Sequence, residues 1–260
     1  MLTGKNIIVT GSTSGIGLGI AEIFAAAGCN IMFNGFGERA QIDKLVGGIA
    51  VTHKVKTAYS AADMSKPEDV AQMVRDAEAQ LGSVDVLINN AGIQFTAAIE
   101  DFPTEKWDAI LAINLSAAFH AMKAAVPGMK KRGYGRIINI ASVHGLIASA
   151  NKSAYVAAKH GLIGLTKAVA LETAESGITV NAICPGWVLT PLVQKQIDDK
   201  AKLEGISIVE AQKKLLGEKE PTKRFTEPKH LGELAVFLCS EAGGNITGDA
   251  ITADGGWTAQ

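Results

Sequence analysis

Near its N-terminus the chain passes from a short β-branched run through a glycine-rich loop into a segment of helical composition. The run is Ile7 to Val9, the loop is Thr10 to Gly17 with the sequence TGSTSGIG, and the helical segment is Leu18 to Ala27. Glycines allow the backbone to turn sharply and to approach a pyrophosphate, whose charge meets the unpaired N–H groups at the helix start. This order of elements predicts a dinucleotide-binding site. The alternative is an ordinary turn between a strand and a helix.

Length and composition limit the class of protein. The 260 residues allow one large α/β domain or two small ones, and a hydrophobic content of 47% can fill a substantial core. A net charge of -1, from 25 basic and 26 acidic residues, argues against a general nucleic-acid or membrane binder. The N-terminus lacks the long apolar region of a signal peptide, so we expect a cytoplasmic protein.

Cysteine and histidine spacing indicates neither disulfides nor a metal site. Cys29, Cys184 and Cys239 are far apart in the sequence and lie in apolar settings, which is typical of reduced core residues. No metal-ligand spacing is found among the five histidines, His53, His120, His144, His160 and His230.

A second strand–helix unit determines what would surround the adenosine ribose of a bound dinucleotide. Asn30 to Asn34 is predicted as the strand and Ala40 to Ile49 as the helix, with Gly47-Gly48 at its end. An acidic residue at the end of this strand would bind a ribose 2′-OH, and an arginine would favour a 2′-phosphate. Phe36 occupies the turn instead, so the local residues leave the cofactor choice open.

Two further strands end in loops that we expect beside the same ligand. Val55 to Ser60 leads to Asp63, which would either hydrogen-bond an adenine amino group or begin the next helix. Val84 to Ile88 leads to Asn89-Asn90-Ala91-Gly92, small and polar residues where the chain passes close to a ligand. The helix that follows carries Asn114 inside an apolar stripe, where an amide needs partners.

The stretch from Ser142 to Lys159 carries candidate acid–base chemistry. An isoleucine-rich strand ends just before Ser142 and an alanine-rich helix begins at Ser153, so Tyr155 and Lys159 share one helix face. A nearby ammonium favours the phenolate, and bringing a phenol to a pKa of about 7 needs roughly 4 kcal/mol. The hydroxyl would hold a substrate oxygen while the phenol exchanges its proton. The alternative is a surface tyrosine and lysine on an ordinary amphipathic helix.

Two amphipathic helices are predicted late in the chain. They span Leu192 to Leu203 and Ile208 to Leu216, are separated by Gly205, and follow the Pro185-Gly186 turn. An insert of this kind, at about residues 189–219, is typical of a mobile lid that excludes water from a pocket. A fixed helical hairpin on the surface is the alternative.

The chain resembles the short-chain dehydrogenase/reductase family over nearly its whole length. The resemblance implies one doubly wound α/β domain of the Rossmann type across residues 1–260, with a seven-stranded parallel sheet and the helical lid. It also implies a tetrad in which Tyr155 is the acid/base and Lys159 binds the nicotinamide ribose and lowers the tyrosine pKa. Ser142 would orient the substrate oxygen, and Asn114 would hold a water that connects Lys159 to solvent. The matching residues are the Thr10 to Gly17 loop, Asp63, Asn89 to Gly92, Asn114, Ser142, Tyr155, Lys159 and Pro185-Gly186.

The cofactor that the resemblance implies is NAD. Members that use NADP often carry an arginine in the glycine loop or just after the second strand, whereas Ser14 and Phe36 stand there in this chain. The Val188 backbone and the Thr190 side chain would bind the carboxamide. The implied cofactor contacts are Gly11, Thr13, Ser14, Gly15, Ile16, Gly17, Phe36, Asp63, Asn90, Ala91, Gly92, Tyr155, Lys159, Pro185, Gly186, Val188 and Thr190.

A set of polar and aromatic residues resembles the substrate-binding set of a bacterial subgroup that oxidises (R)-3-hydroxybutyrate to acetoacetate. Its donors would bind a carboxylate through charge-assisted hydrogen bonds, and its tryptophans would wall the apolar part of the substrate. Phe95 and Val143, beside the pocket, depart from the residues familiar in that subgroup. The set is Gln94, Ser142, His144, Lys152, Tyr155, Trp187, Gln196 and Trp257.

Two other functions stay open beside a dehydrogenase of small hydroxy acids. A 3-oxoacyl carrier-protein reductase would prefer NADPH and need a basic face such as Lys130 to Arg132, which Glu172 and Glu175 would oppose. A non-catalytic NAD-binding sensor or scaffold is the second. The resemblance also implies a homotetramer built through the helices of Asn114 and Tyr155 and the C-terminal strand, with no nucleic-acid or membrane partner.

Overall fold

Seven strands form one parallel sheet in the computed structural model of the protein, which describes residues 2–217 and 219–259. Their spatial order is β3-β2-β1-β4-β5-β6-β7, and every neighbouring pair is parallel. The order reverses between β1 and β4, which is where open α/β sheets bind ligands. The predicted seven-stranded, doubly wound sheet is thus confirmed. The strands are β1 (Asn6–Val9), β2 (Asn30–Asn34), β3 (Thr57–Ser60), β4 (Val86–Asn89), β5 (Gly135–Ile140), β6 (Ile178–Pro185) and β7 (Ala250–Ala253).

Helices cover both faces of the sheet because alternate residues of its strands point to opposite sides. Ile8, Met32 and Leu87 pack on the side of α3, α5 and α6. Ile7 and Ile31 pack on the side of α1, α2 and α9. The helices are α1 (Gly15–Ala26), α2 (Arg39–His53), α3 (Pro67–Leu81), α4 (Thr104–Leu111), α5 (Ala117–Arg132), α6 (Ser153–Thr173), α7 (Pro191–Glu204), α8 (Ile208–Gly217) and α9 (Pro228–Cys239).

Helix α2 is longer than the sequence predicted. It continues through Gly47 and Gly48 to His53, and the next residue, Lys54, adopts the left-handed conformation with φ 55°. The prediction that the two glycines end this helix was wrong. The helix is held by its apolar face, with Ile42, Val46 and Ile49 buried, and burial of that stripe outweighs the low helix propensity of glycine.

The helical stretch Thr104–Arg132 is long and apolar enough to cross a membrane by length and composition alone. In the fold it comprises α4, a π-helical turn at Ala112–Ser116, and α5. Ala121, Met122 and Ala125 of this stretch lie in the core against the sheet. Its apolar character is therefore accounted for by packing within the protein.

Candidate active site

A cleft of about 800 Å³ opens at the carboxyl ends of the strands. It brings together all the predicted cofactor contacts except Gly17 and Asp63, and all the predicted substrate contacts except Gln196. The glycine loop, the loop after β4, the start of α6 and the loop after β6 each contribute a wall. Parallel strands make this convergence possible, because their carboxyl ends meet at one edge of the sheet.

The glycine loop forms a cradle that only small residues can build. A Cβ atom on Gly17 would lie 2.5 Å from Asn90 Nδ2 and would overlap the Gly11 carbonyl oxygen. Asn90 holds the loop by donating from Nδ2 to the carbonyl oxygens of Thr10 and Gly11, at 2.9 and 3.1 Å. Helix α1 begins at Gly15 with no acidic residue in its first turn. Its free N–H groups therefore suit a pyrophosphate, and the residues fit a dinucleotide.

The end of the cleft beside the turn after β2 presents an apolar side chain. Phe36 lines the cleft with 67% of its surface exposed. The nearby Arg39 guanidinium forms an ion pair with Asp43 at 2.8 Å. Asp63 accepts hydrogen bonds from the Ser65 N–H and hydroxyl, at 2.9 and 2.7 Å, and these bonds hold its pKa below the ordinary value. Asp63 therefore stabilises the turn before α3, which begins four residues later at Pro67, and its contact with adenine stays a prediction.

Ser142 and His144 form a compact hydrogen-bonded turn directly after β5. The His144 N–H donates to Ser142 Oγ at 3.2 Å, and His144 Nε2 lies 2.8 Å from Ser149 Oγ. Burial, followed by the positive charges of Lys152, Lys219 and His160, lowers the pKa of His144 to about 4. The imidazole is therefore neutral near pH 7 and serves as a neutral hydrogen-bonding group.

Tyr155 and Lys159 lie on one face of α6, as the sequence predicted. Burial raises the pKa of Tyr155 above its ordinary value, and a hydrogen bond with Ser142 opposes that rise. Burial lowers the pKa of Lys159 to about 8. The ammonium lies 5.6 Å from the phenol ring centre and donates to the Ile140 carbonyl at 2.7 Å. In this arrangement burial outweighs any influence of Lys159 on the tyrosine, so the expected lowering of the Tyr155 pKa stays a prediction.

Asn114 lies in the π-helical turn between α4 and α5 and is buried. Its Oδ1 accepts from the Ile93 N–H at 2.8 Å, and its Nδ2 donates to the Ile93 carbonyl at 2.9 Å. A separate cavity of about 10 Å³ is lined by both Asn114 and Lys159. That volume is roughly the size of one water molecule, and the cavity joins the two residues that the family resemblance links through a water.

The other end of the cleft is rich in donors and positive charge. Gln94, His144 and Lys152 line it together with Trp187 and Trp257. The pKa of Lys152 is lowered mainly by burial and to a smaller extent by the positive charge of Lys219. Trp257 packs edge-on against His144, with ring centres 5.5 Å apart. This cationic, half-buried corner suits a small carboxylate.

The two predicted lid helices are present as α7 and α8, and they pack on each other through a small core of their own. Ile197, Ala201 and Ala211 are buried in that core. Thr190 caps α7 by accepting from the Val193 N–H at 3.3 Å. Gln196 is exposed on α7 and does not line the cleft. Its predicted contact with substrate therefore requires α7 to move toward the cleft.

Sequence reasoning missed two residues next to the site, Lys219 and Glu220. The Lys219 ammonium lies 5.1 Å from the ring centre of Trp257. Glu220 is 1% exposed, and its carboxylate accepts a hydrogen bond from the Trp187 N–H. In the sequence these two residues stand as a charged pair just before Pro221, after a polar helix. Charged residues in such a position are ordinarily exposed to solvent, so the pair gave no sign of a role in the site.

Comparison with known proteins gives matches over the full length. A family model described as enoyl-(acyl carrier protein) reductase matches residues 11–258. A D-beta-hydroxybutyrate dehydrogenase of Cupriavidus necator is 57% identical over 100% of both chains. Another, of Rhizobium meliloti, is 52% identical over 98% of this chain and 99% of its own. The structure of L-sorbose reductase from Gluconobacter frateurii, complexed with NADPH and L-sorbose, has a TM-score of 0.94 at 32% identity, covering 99% of this chain and 98% of that chain.

Proposed function

The chain belongs to the short-chain dehydrogenase/reductase family, and we propose that it oxidises (R)-3-hydroxybutyrate to acetoacetate with NAD. The observation that carries the proposal is the composition of the cleft, which Ser142 and Tyr155 line together with His144 and Lys152. An acid–base pair and a carboxylate-binding corner thus share one space. Two relatives named D-beta-hydroxybutyrate dehydrogenase, at 57% and 52% identity over nearly the whole chain, support the same reaction.

Substrate binding starts with the carboxylate at the cationic corner. Lys152 supplies the positive charge, and Gln94 and the neutral His144 supply further hydrogen-bonding groups. Trp187 and Trp257 wall the short carbon chain. This placement leaves the C3 hydroxyl beside Ser142 and Tyr155. Gln196 joins the carboxylate contacts when α7 closes over the cleft.

Ser142 and Tyr155 then handle the hydroxyl proton. Ser142 holds the substrate oxygen, and the Tyr155 phenolate removes its proton. NAD, held by the glycine loop and by the loop after β6, would supply the acceptor for the hydride that leaves C3. Lys159 binds the nicotinamide ribose and favours the phenolate, and the proton then leaves through the small cavity between Lys159 and Asn114.

The turn after β2 supports NAD as the cofactor. Phe36 offers no charge to a 2′-phosphate, and Arg39 is already paired with Asp43. Ser14 occupies the position in the glycine loop where an arginine would favour NADP. Among the described residues this turn therefore offers no preformed site for a 2′-phosphate, and NAD is the better match.

A carrier-protein reductase is less consistent with the distribution of charge. Lys130 and Arg132 lie at the end of α5, where Arg132 donates to the Val84 carbonyl just before β4 begins. That end of the sheet is opposite to the cleft. Lys130 donates to the Glu172 carbonyl at 3.3 Å, and Arg132 pairs with Asp85 at 3.7 Å. These cations are engaged locally and are far from where a carrier would present its acyl group.

The test is an assay of NADH formation with (R)-3-hydroxybutyrate, run beside the (S) enantiomer, with NAD and NADP in parallel. We expect turnover only with the (R) acid and NAD. Reduction of acetoacetyl thioesters with NADPH, without any activity on the free acids, would replace this proposal with the carrier-protein reductase.

The protein is further proposed to be a cytoplasmic homotetramer. Phe119 on α5, the helix that follows Asn114, and Leu171 on α6, the helix of Tyr155, are 45% and 81% exposed, and the family resemblance implies association through these two helices. The three cysteines are free and buried, as is usual in a reducing compartment. Light scattering of the purified protein measures the mass of the assembly.

A further inference from the structure

Glu220 is a buried acidic residue that the proposed reaction does not use. It follows the last turn of α8, where its N–H donates to the Leu216 carbonyl at 2.8 Å. Its side chain turns inward, and Oε1 accepts a hydrogen bond from the Trp187 N–H. The residue therefore connects the return of the lid to the loop Pro185–Thr190, which follows β6.

Two glycines make room for this carboxyl group. A Cβ atom on Gly186 would overlap Glu220 Oε1 and lie 3.0 Å from the Asp254 Cα. A Cβ atom on Gly255 would lie 3.2 Å from Glu220 Oε2. The loop after β6 and the C-terminal turn thus both lack side chains where the carboxyl group sits. This fit shows that Glu220 is a specific packing partner of two segments that border the cleft.

The second carboxyl oxygen is held without charge compensation. Oε2 has no hydrogen-bond partner among the described residues, and the charge that acts on this carboxyl group from the C-terminal turn is the negative charge of Asp254. Burial and this neighbour raise the pKa of Glu220 to about 7. Retaining an acid in such surroundings costs stability. Its bond to Trp187 is a specific contact that an apolar residue would not reproduce.

We propose that Glu220 is a positioning residue for the nicotinamide end of the cofactor site. The inference rests on the proposed function, in which the loop Pro185–Thr190 binds the carboxamide. Glu220 fixes the Trp187 backbone within that loop, and it joins the loop to the end of α8. The position of the lid and the shape of the nicotinamide site are therefore coupled through one side chain.

The experiment compares binding of NADH with binding of ADP-ribose, which lacks the nicotinamide, by calorimetry in the absence of substrate. Glu220→Leu removes the acceptor of the Trp187 N–H and leaves that donor buried, so we expect NADH affinity to fall about tenfold. ADP-ribose affinity should stay within twofold of the wild-type value. Glu220→Gln keeps one acceptor oxygen and should restore NADH affinity to within about threefold of wild type. Glu233→Gln, an exposed position on α9, is the matched control.

A Glu220→Leu variant that binds NADH as the wild type does would overturn the proposal. So would equal losses of NADH and ADP-ribose affinity, because a general packing defect weakens both ligands. If Glu220→Leu does not fold, Glu220→Met carries the same prediction with a more adaptable side chain. The measurement needs no turnover, so it is independent of whether (R)-3-hydroxybutyrate is the substrate.

Discussion

Burial acts on Tyr155 and Lys159 in opposite directions. It raises the pKa of the phenol and lowers that of the ammonium to about 8, so both side chains are pushed toward their neutral forms. Ser142 opposes the effect on the phenol through a hydrogen bond. A positive charge brought next to the phenol would then favour the phenolate strongly, because the site is largely shielded from water. The reactivity of this tyrosine depends on its surroundings more than on the lysine alone.

Changing Tyr155 to Phe should remove the acid–base group and leave the shape of the cleft intact. We expect kcat to fall roughly a thousandfold, with NADH affinity largely retained. Steady-state kinetics and NADH fluorescence measure the two quantities. Tyr134→Phe is the matched control, because Tyr134 stacks between Lys5 and Arg136 at the far end of the sheet. Near-normal turnover in Tyr155→Phe contradicts the assignment.

Changing Lys152 to Ala should weaken binding of the acid substrate. The variant loses a charged hydrogen bond to the carboxylate, which contributes roughly 1.5–3 kcal/mol to binding. We therefore expect KM for 3-hydroxybutyrate to rise tenfold or more, while KM for NAD stays unchanged. Initial rates at varied concentrations of each substrate separate the two constants. Lys167→Ala tests an exposed lysine on α6, the helix that begins just after Lys152. Unchanged kinetics in Lys152→Ala would remove this residue from the carboxylate site.

The sequence predicted the location of a site residue where its chemical type and its spacing from a partner pointed to the same role. Tyr155 and Lys159 are four positions apart on a helix, so their shared face followed from periodicity. Glu220 gave no such signal, because its burial depends on two glycines at distant positions in the chain. Lys219 likewise reaches the site only through Trp257, which is brought there by the tertiary fold.

At the scale of elements, two glycine positions behave in opposite ways. Gly17→Ala should greatly weaken NADH binding, because a Cβ atom there meets Asn90 at 2.5 Å and the loop would have to shift.

Gly47→Ala should stabilise the protein by about 0.5–1 kcal/mol, because the position lies inside α2 and a Cβ atom meets nothing within 4 Å. Titration with NADH and urea denaturation measure the two effects. Tight NADH binding by Gly17→Ala would show that the loop adapts.

Element boundaries were harder to predict than element types. Strand β2 runs from Asn30 to Asn34 as expected, since a β-branched and apolar run is bounded by turn residues. Helix α2 was predicted too short because propensity was weighed without its buried stripe. The π-helical turn around Asn114 left no periodic signal, since one extra residue in a turn changes the hydrogen-bond register and not the composition.

For the whole molecule, His144 links stability to pH. Its pKa is about 4 when folded and 6.5 by reference, so the unfolded chain binds a proton first as the pH falls. Its contribution to stability is thus present above pH 6.5 and is lost as the pH falls to about 4. At about 1.4 kcal/mol per pKa unit, the full effect is on the order of 3 kcal/mol. Thermal unfolding of His144→Gln should show a weaker decline than the wild type across this interval.

His53→Gln, at the end of α2 and outside the cleft, controls for the loss of a histidine. Glu220 acts in the opposite sense, because its pKa is raised to about 7 from 4.5 and stability is lost as the pH rises between these values. A His144→Gln variant with an unchanged slope would contradict the shifted pKa of His144.

The overall architecture could be predicted because local signals agreed along the chain. Each apolar run was followed by a loop and a helical segment, and such units pair their strands in parallel. The cleft followed from this order, since every loop at the carboxyl end of a strand contributes to one edge. The position of α7 and α8 relative to that edge did not follow, because no local pattern in the sequence showed that Gln196 is exposed on α7 while its predicted partners line the cleft.

The lid begins and ends at neighbouring points of the backbone. Val188 and Thr226 form a short parallel bridge, with the Leu189 N–H donating to the Thr226 carbonyl at 2.9 Å. The chain between Val188 and Thr226 leaves and returns at one point beside the sheet. Replacing this segment would therefore not change the connections between the strands. A segment of different length could therefore be accommodated between the same two residues without any change to the sheet. Such a replacement would leave Ser142, Tyr155 and Lys159 in place, and it would have to supply its own partner for the Trp187 N–H, which Glu220 holds in this chain.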